Sequence, residues 1–194
     1  NRGRVLFNGA RISGDVNGMI LNESGGKVEI APNSAARLIS DVPLINSGSV
    51  NQRSAISALS TGSTVTMMNE SGGVWDMVGL PDSSVLFKNN GTVYRRPTKL
   101  DPVIGNGVIA CQIDQDGGTI DLQTATTTFE NGGTWTNGAV LRAETPAVAR
   151  LDIFSGLTDT PLIFDATTNL VGSGGLQDPG GEIIIDGFSS ALYQ

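Results

Sequence analysis

One short turn keeps returning along this chain. It reads "LNESGGKV" at Leu21–Val28, "INSGSV" at Ile45–Val50, "MNESGGVW" at Met68–Trp75, "NNGTVYRR" at Asn89–Arg96, "IDQDGGTI" at Ile113–Ile120 and "FENGGTW" at Phe129–Trp135. In each copy a polar residue and a glycine precede a small residue and then a β-former. The glycine before that step falls at Gly26, Gly48, Gly73, Gly91, Gly118 and Gly133, and more loosely at Gly156 and Gly181, with steps of 15 to 27 residues and a mean of about 22.

Hairpin-built sandwiches and barrels place turns roughly every 8 to 12 residues without a longer repeat. A repeat of about 20 to 50 residues belongs to solenoids, and about 22 suits one coil of three short strands and three turns. The expected fold is therefore all-β: a single-domain parallel β-helix over residues 1–194 with about eight irregular coils. At about 4.8 Å per coil it makes a rod roughly 38 Å long. A β-sandwich or jelly roll that happens to share this rhythm is the alternative. In the rod, glycine supplies the positive φ of each corner, and the corner asparagines hydrogen-bond in a ladder between coils. "NNGTVYRR" is then a corner, not an active site.

The remaining pattern agrees. Apolar residues come in short runs or in alternation, as in "STVTMM", "SVLFK", "GTIDLQ", "RLDIF" and "EIIID", each bounded by Gly, Asn, Asp, Ser or Pro. Only "NSAARLI" and "QRSAISAL" suggest helix, and both are short. Glycine, at 26 of 194 residues, is in excess, yet 39% of the chain is hydrophobic, enough for a core. No run reaches the roughly 18 apolar residues that span a bilayer. The chain opens on Asn, as a processed or excised segment would, and a removed secretion signal would leave no trace.

Two absences narrow the chemistry. There is no histidine, which removes Ser-His and Cys-His nucleophile systems and histidine metal sites, and the single Cys111 allows no intramolecular disulfide. No catalytic residues and no cofactor are expected. The net charge of −7 is lopsided: residues 1–100 carry ten Lys or Arg against seven Asp or Glu, residues 101–194 two against twelve. An acidic chain with no larger basic cluster than Arg95-Arg96 does not suit nucleic acid.

The pattern of "FKNNGTV", "FENGGTW" and "INSGSV" resembles the degenerate N-x-G-T-h repeats of bacterial cell-surface β-helix proteins, autotransporter passenger domains and filamentous-haemagglutinin-type adhesins, over about residues 20–140. The resemblance implies an extracellular or cell-surface setting and an adhesive or structural role. It carries no catalytic residues.

Several motifs ask for a chemical reading. Asp114, Asp116 and Asp121 in "IDQDGGTID" partly resemble a calcium loop but lack its closing glutamate, and they share the corner position of "NESGG". A solvated turn is the first reading and a calcium site the second. Asp114, Asp116 and Glu130 would serve a β-helix glycosidase only with a cleft and a carboxylate pair, and few aromatics are present to stack sugars. "TATTT" at Thr124–Thr128 occurs once, where an ice-binding face needs it on every coil, and "GSGGLQDPGG" reads as a loop. Asn22, Asn69 and Asn90 begin Asn-x-Ser/Thr sequons, two of them inside "NESGG", so the architecture already accounts for them.

A solenoid exposes strand edges at both ends. The N-terminal stretch is basic and β-prone, with Arg2, Arg4, Val5, Leu6 and Phe7; the C-terminal stretch is acidic and β-prone, with Ile183, Ile184 and Ile185. Head-to-tail association of subunits into a filament or surface layer follows as the leading expectation, with terminal strands 1–12 and 180–194 available for exchange between subunits. A homo-oligomer or polymer is the expected partner state, and a surface glycan a further partner. A monomeric adhesin or phage-fibre receptor-binding segment, favoured by any exposed patch around Trp75, Tyr94 and Trp135, comes second. A polysaccharide-processing enzyme comes third.

Overall fold

The computed structural model describes residues 1–9, 11–14, 18–32, 38–58, 62–99, 101–152, 161–172 and 182–186, excepting the side chains of 38, 39, 152 and 182–186. Consecutive strands lie on different faces of a coil, so each strand finds its partner one coil away and the pairing is parallel. One face stacks eight strands, in order Arg4–Phe7, Lys27–Ile30, Ser49–Gln52, Val74–Met77, Thr92–Arg95, Thr119–Leu122, Val140–Ala143 and Asn169–Gly172. The second face stacks seven, from Ile20–Asn22 through Val65–Asn69, Val85–Asn89 and Gln112–Asp116 to Leu162–Phe164. The expected parallel β-helix is present. Its eight-stranded face makes seven coil-to-coil steps, from 18 residues (Val74 to Thr92) to 29 (Val140 to Asn169).

The third face is broken. Arg11–Ile12, Leu38–Ser40 and Ile56–Ala58 form one short sheet, and Gly107–Ile109, Thr126–Phe129, Val148–Asp152 and Glu182–Asp186 form another. Between them lies Val78–Ser84, which contains Pro81 and no strand. Proline has no N–H to donate to a ladder, which accounts for the gap. The two stretches that hinted at helix end as strands, Leu38–Ser40 and Ile56–Ala58, because stacking between coils outweighs weak local propensity.

Alternation along each strand sends one set of side chains inward. Val28, Val50, Trp75, Val93, Ile120 and Leu141 stack in register on the first face, and Leu44, Met67, Phe87 and Ile113 on the second, all buried. Trp75 meets Phe87 edge to face, with ring centroids 4.9 Å apart. Such pairs add about 0.5–1.5 kcal/mol beyond burial of their area.

At the corner between the second and first faces the expected ladder is present and continuous. Asn1 Nδ2 donates to Asn22 Oδ1 (3.0 Å), Asn22 to Asn46 (2.7 Å), Asn46 to Asn69 (2.8 Å), Asn69 to Asn89 (2.9 Å), and Asn89 to Gln115 Oε1 (3.0 Å). The same amides bond the corner carbonyls, Asn69 reaching Gly73 O and Thr92 O. The row then becomes aromatic: Trp135 follows Gln115 in register and Phe164 follows Trp135.

The corner glycines divide two tasks that the sequence reading gave to one. Gly72 has φ +81°, the conformation glycine adopts without strain. Gly73, next to it, is required for space, since a Cβ there would lie 2.5 Å from Asn46 O and 2.6 Å from Asn69 Oδ1. Gly26, Gly48, Gly91 and Gly118 occupy the same crowded position on their coils. Gly133 does not, and its placement in the series is corrected: it opens a second-face strand, and the equivalent corner residue is Ala139, before Val140. Ala is tolerated there because the ladder has already ended. Gly156 and Gly181 lie outside the described residues.

Candidate binding groove

Corner length varies from coil to coil, and a groove runs along the corner of Asn69 and Asn89. Four residues, Glu70 to Gly73, separate Asn69 from Val74, whereas only Asn90 and Gly91 separate Asn89 from Thr92. The groove has a volume of about 590 Å³ and is lined by Met68, Asn69, Glu70, Ser71, Lys88, Asn89, Asn90, Asp114 and Asp116. Its floor is rigid because Asn69 and Asn89 are ladder members, while Met68, Lys88 and Asp114 lie on successive rungs of the outward surface.

Two carboxylates are held in place. Asp114 Oδ1 accepts from Gln112 Nε2 (3.1 Å) and from the backbone N–H of Thr134 (3.0 Å). Asp116 Oδ1 accepts from Asn137 Nδ2 at 2.5 Å, and Asn137 has φ +56°. Glu70 accepts from the Ser47 hydroxyl. The strand repeat places the Cα atoms of Asp114 and Asp116 about 6.7 Å apart. They project side by side from one strand, however, whereas glycosidase carboxylates flank the bond they break.

Asp121 is not part of this group. It lies on the first face between Tyr94 and Arg142, buried, with Oδ2 3.9 Å from Arg142 Nη1 and accepting from Gln123 Nε2 at 3.3 Å. Asp114 and Asp116 are therefore together and Asp121 apart; among the described residues no three His, Cys, Asp or Glu side chains converge as metal ligands would. Glu130 is on neither surface of the groove. Trp75 and Trp135 are fully buried, and half-buried Tyr94 lies 3.9 Å beneath the Arg96 guanidinium, so the three form no exposed patch. Thr126–Phe129 is a third-face strand with Thr127 turned inward. Of the sequons, Asn22 and Asn69 are buried in the ladder and Asn90 is exposed.

The terminal rungs differ from the middle. Inward residues Val5, Phe7, Ile12 and Ile20 are only partly buried. Arg2 pairs with Glu23, which lowers the carboxyl's proton affinity, and Arg4 pairs with Glu29 at 2.6 Å, so the basic end is partly neutralised by its own next coil. Ile183, Ile184 and Ile185 align with Ala149, Arg150 and Leu151 on the edge strand of the third face; their side chains, and residues 180, 181 and 187–194 of the segment expected to exchange, lie outside the described residues.

Sequence reasoning missed Arg95. It stands at an inward position, buried without a carboxylate, and donates to Thr127 Oγ1 (2.8 Å), Val78 O (3.1 Å) and Gly105 O (2.7 Å). Burial lowers its proton affinity. The alternation in "TVYRR", with Val93 and Arg95 two apart, was the signal that it faces inward. Nearby, Arg53 reaches 48 residues along the chain to Asp101 (Nε 2.5 Å, Nη2 2.9 Å), whose hydrogen bond raises the Arg53 pKa, and so anchors Asp101 to the coil of Ser49–Gln52. Burial pushes the Cys111 thiol up, so it is inert filler.

No protein-family model, no curated protein and no solved structure matches this chain. No helix among the described residues is long and apolar enough to cross a membrane.

Proposed function

We propose that the chain is an extracellular structural β-solenoid whose copies associate end to end, into a filament or surface layer. One observation carries this reading. On the first coil the inward side chains Val5, Phe7, Ile12 and Ile20 are only partly buried, and on the last strand of the eight-stranded face Leu170 stands at an inward position and is still exposed. The middle of the rod seals its core and its ends do not. Leu170, in register with buried Leu141, keeps 38% of its surface exposed. Covering both ends removes apolar surface from water, worth about 25 cal/mol per Å². It also pairs open strand edges in a contact that does not close on itself. The arginines supply orientation rather than strength, since Arg2 and Arg4 already have intrachain partners.

Electron microscopy of the purified chain at low and high salt, with light scattering for mass, tests the reading. Filaments or sheets that disappear in Val5→Lys and in Leu170→Lys are expected. A strictly monomeric rod at all concentrations would refute assembly and leave a monomeric adhesive segment as the better account.

A further inference from the structure

We propose that the groove at the Asn90 corner binds a short, uncharged oligosaccharide. The proposal is independent of end-to-end assembly, because the groove lies on the side of the rod. Its starting point is an ion pair that does not form. Register places Lys88 and Asp114 on adjacent rungs of one outward surface, where opposite charges ordinarily meet. Instead Lys88 is exposed and makes no ion pair among the described residues, while Asp114 is turned by Gln112 and the Thr134 N–H. The two side chains face a common space without closing it.

The groups left over form a mixed set. Lys88 supplies a donor, and Asn90 and Ser71 each supply donor and acceptor. The second oxygens of Asp114 and Asp116 supply acceptors. Each sugar hydroxyl donates and accepts at once, and so matches such a set along its length. An acidic sugar would meet Glu70, Asp114 and Asp116 together, and a bare cation would leave the Lys88 donor and the Asn90 amide unused. The volume of about 590 Å³ falls within the roughly 300–1,000 Å³ of small-molecule sites. Preorganisation is built in: the floor amides are fixed by the ladder, and the carboxylates by bonds from outside the groove. Met68 is the one apolar residue of the lining and no aromatic ring is present to stack a sugar, so a dissociation constant on the order of 0.1–1 mM is expected.

The test titrates the purified chain, followed by NMR shift changes, with neutral gluco- and galacto-oligosaccharides of two to four units and their amino-sugar and uronic-acid counterparts. Binding of a neutral member is expected, weakened at least about tenfold in Asn90→Ala combined with Lys88→Met. Both residues are exposed and outside the core, so an unchanged melting curve will show that the variant is folded. Absence of any neutral binder up to about 10 mM would overturn the proposal. So would tighter binding of the amino sugars, which would mark a cation site, or binding that the double substitution leaves unchanged. Leu170→Lys, which disrupts assembly in the reading above, should leave the titration as it was, so the two proposals fail separately.

Discussion

Replacing Asn69 by Asp changes almost nothing in shape and nearly everything in hydrogen bonding. The Asn69 amide donates to Asn89 Oδ1, Gly73 O and Thr92 O, while its oxygen accepts from Asn46 Nδ2. An aspartate keeps the accepting role and loses the donating one. It also brings a charge to a side chain with 0% exposure that faces three oxygens. Burial of this kind raises a carboxyl pKa by about 3 units or more, each unit being about 1.4 kcal/mol. The folded pKa then lies above the unfolded value of about 3.9, so the protonated form is the one that folding favours. Relative stability is fully present below about pH 4 and is lost as pH rises to the folded pKa, near 7. Protonated, the acid returns one O–H donor, and the cost is that of one or two unmade bonds, about 1–3 kcal/mol. At pH 8 a further 4 kcal/mol or so is added. Asn69→Ala leaves similar acceptors unpaired but carries no charge, so its cost should not vary with pH. Urea unfolding of both variants between pH 4.5 and 8 reads the difference directly and cancels the titration of the rest of the chain. If the two variants run parallel across that range, the ladder is not the closed, dry row described here. Asn90→Asp, one residue along and exposed, serves as control and should stay within about 0.5 kcal/mol of the parent.

Three further outcomes are expected. Gly73→Ala should cost about 3 kcal/mol, because the new methyl displaces Asn46 O and Asn69, whereas Gly72→Ala, strained only by its φ of +81°, should cost about 1 kcal/mol in the same unfolding assay. Arg95→Met leaves Val78 O, Gly105 O and Thr127 Oγ1 short of a donor while relieving a buried charge. The net loss should be about 2–4 kcal/mol, with faster amide exchange across residues 105–107. The Asp165 carboxyl is held down to a pKa of about 2, first by the Thr167 hydroxyl and then by backbone N–H groups of Asn137 and Thr167. A depressed folded pKa contributes stability above the unfolded value that is lost as pH falls toward about 2. Protection of the Asn137 and Thr167 amides relative to their intrinsic exchange rates should therefore fall between pH 4 and 2, and Asp165→Asn should abolish that fall.

Much of the fold was legible because coil stacking repeats one local problem. Each corner must turn sharply and let its neighbour approach closely, so glycine and asparagine return at coil spacing from Asn22 to Gln115. The reading faltered where the solution changed: after Gln115 the row becomes Trp135 and Phe164, the corner glycine becomes Ala139, and Gly133 drew the count onto the wrong face. The groove was only half legible. Asp114 and Asp116 stood out by composition, but Met68, Glu70 and Lys88, which line the groove with them, come from other coils and join them only once the strands are set in register. Asp121, seven residues from Asp114, was grouped by proximity in sequence, although the turn at Gly117-Gly118 carries it to another face. Arg95 escaped because a charged residue reads as surface unless the alternation of its strand is followed to the end.

The ladder also has a direction. Each amide donates toward the higher-numbered coil and accepts from the lower, so its bond dipoles align along the rod axis, whereas those of helix macrodipoles come from the main chain. The positive pole is at Gln115, whose Nε2 is buried and has no acceptor, and the negative pole is at Asn1. Formal charge runs the opposite way, with the excess of Lys and Arg before residue 100 and of Asp and Glu after it. The rod is thus a weak electret whose surface charges are arranged to stabilise its internal polarisation. A chain with the same corners but the two halves' charges exchanged would set the one against the other.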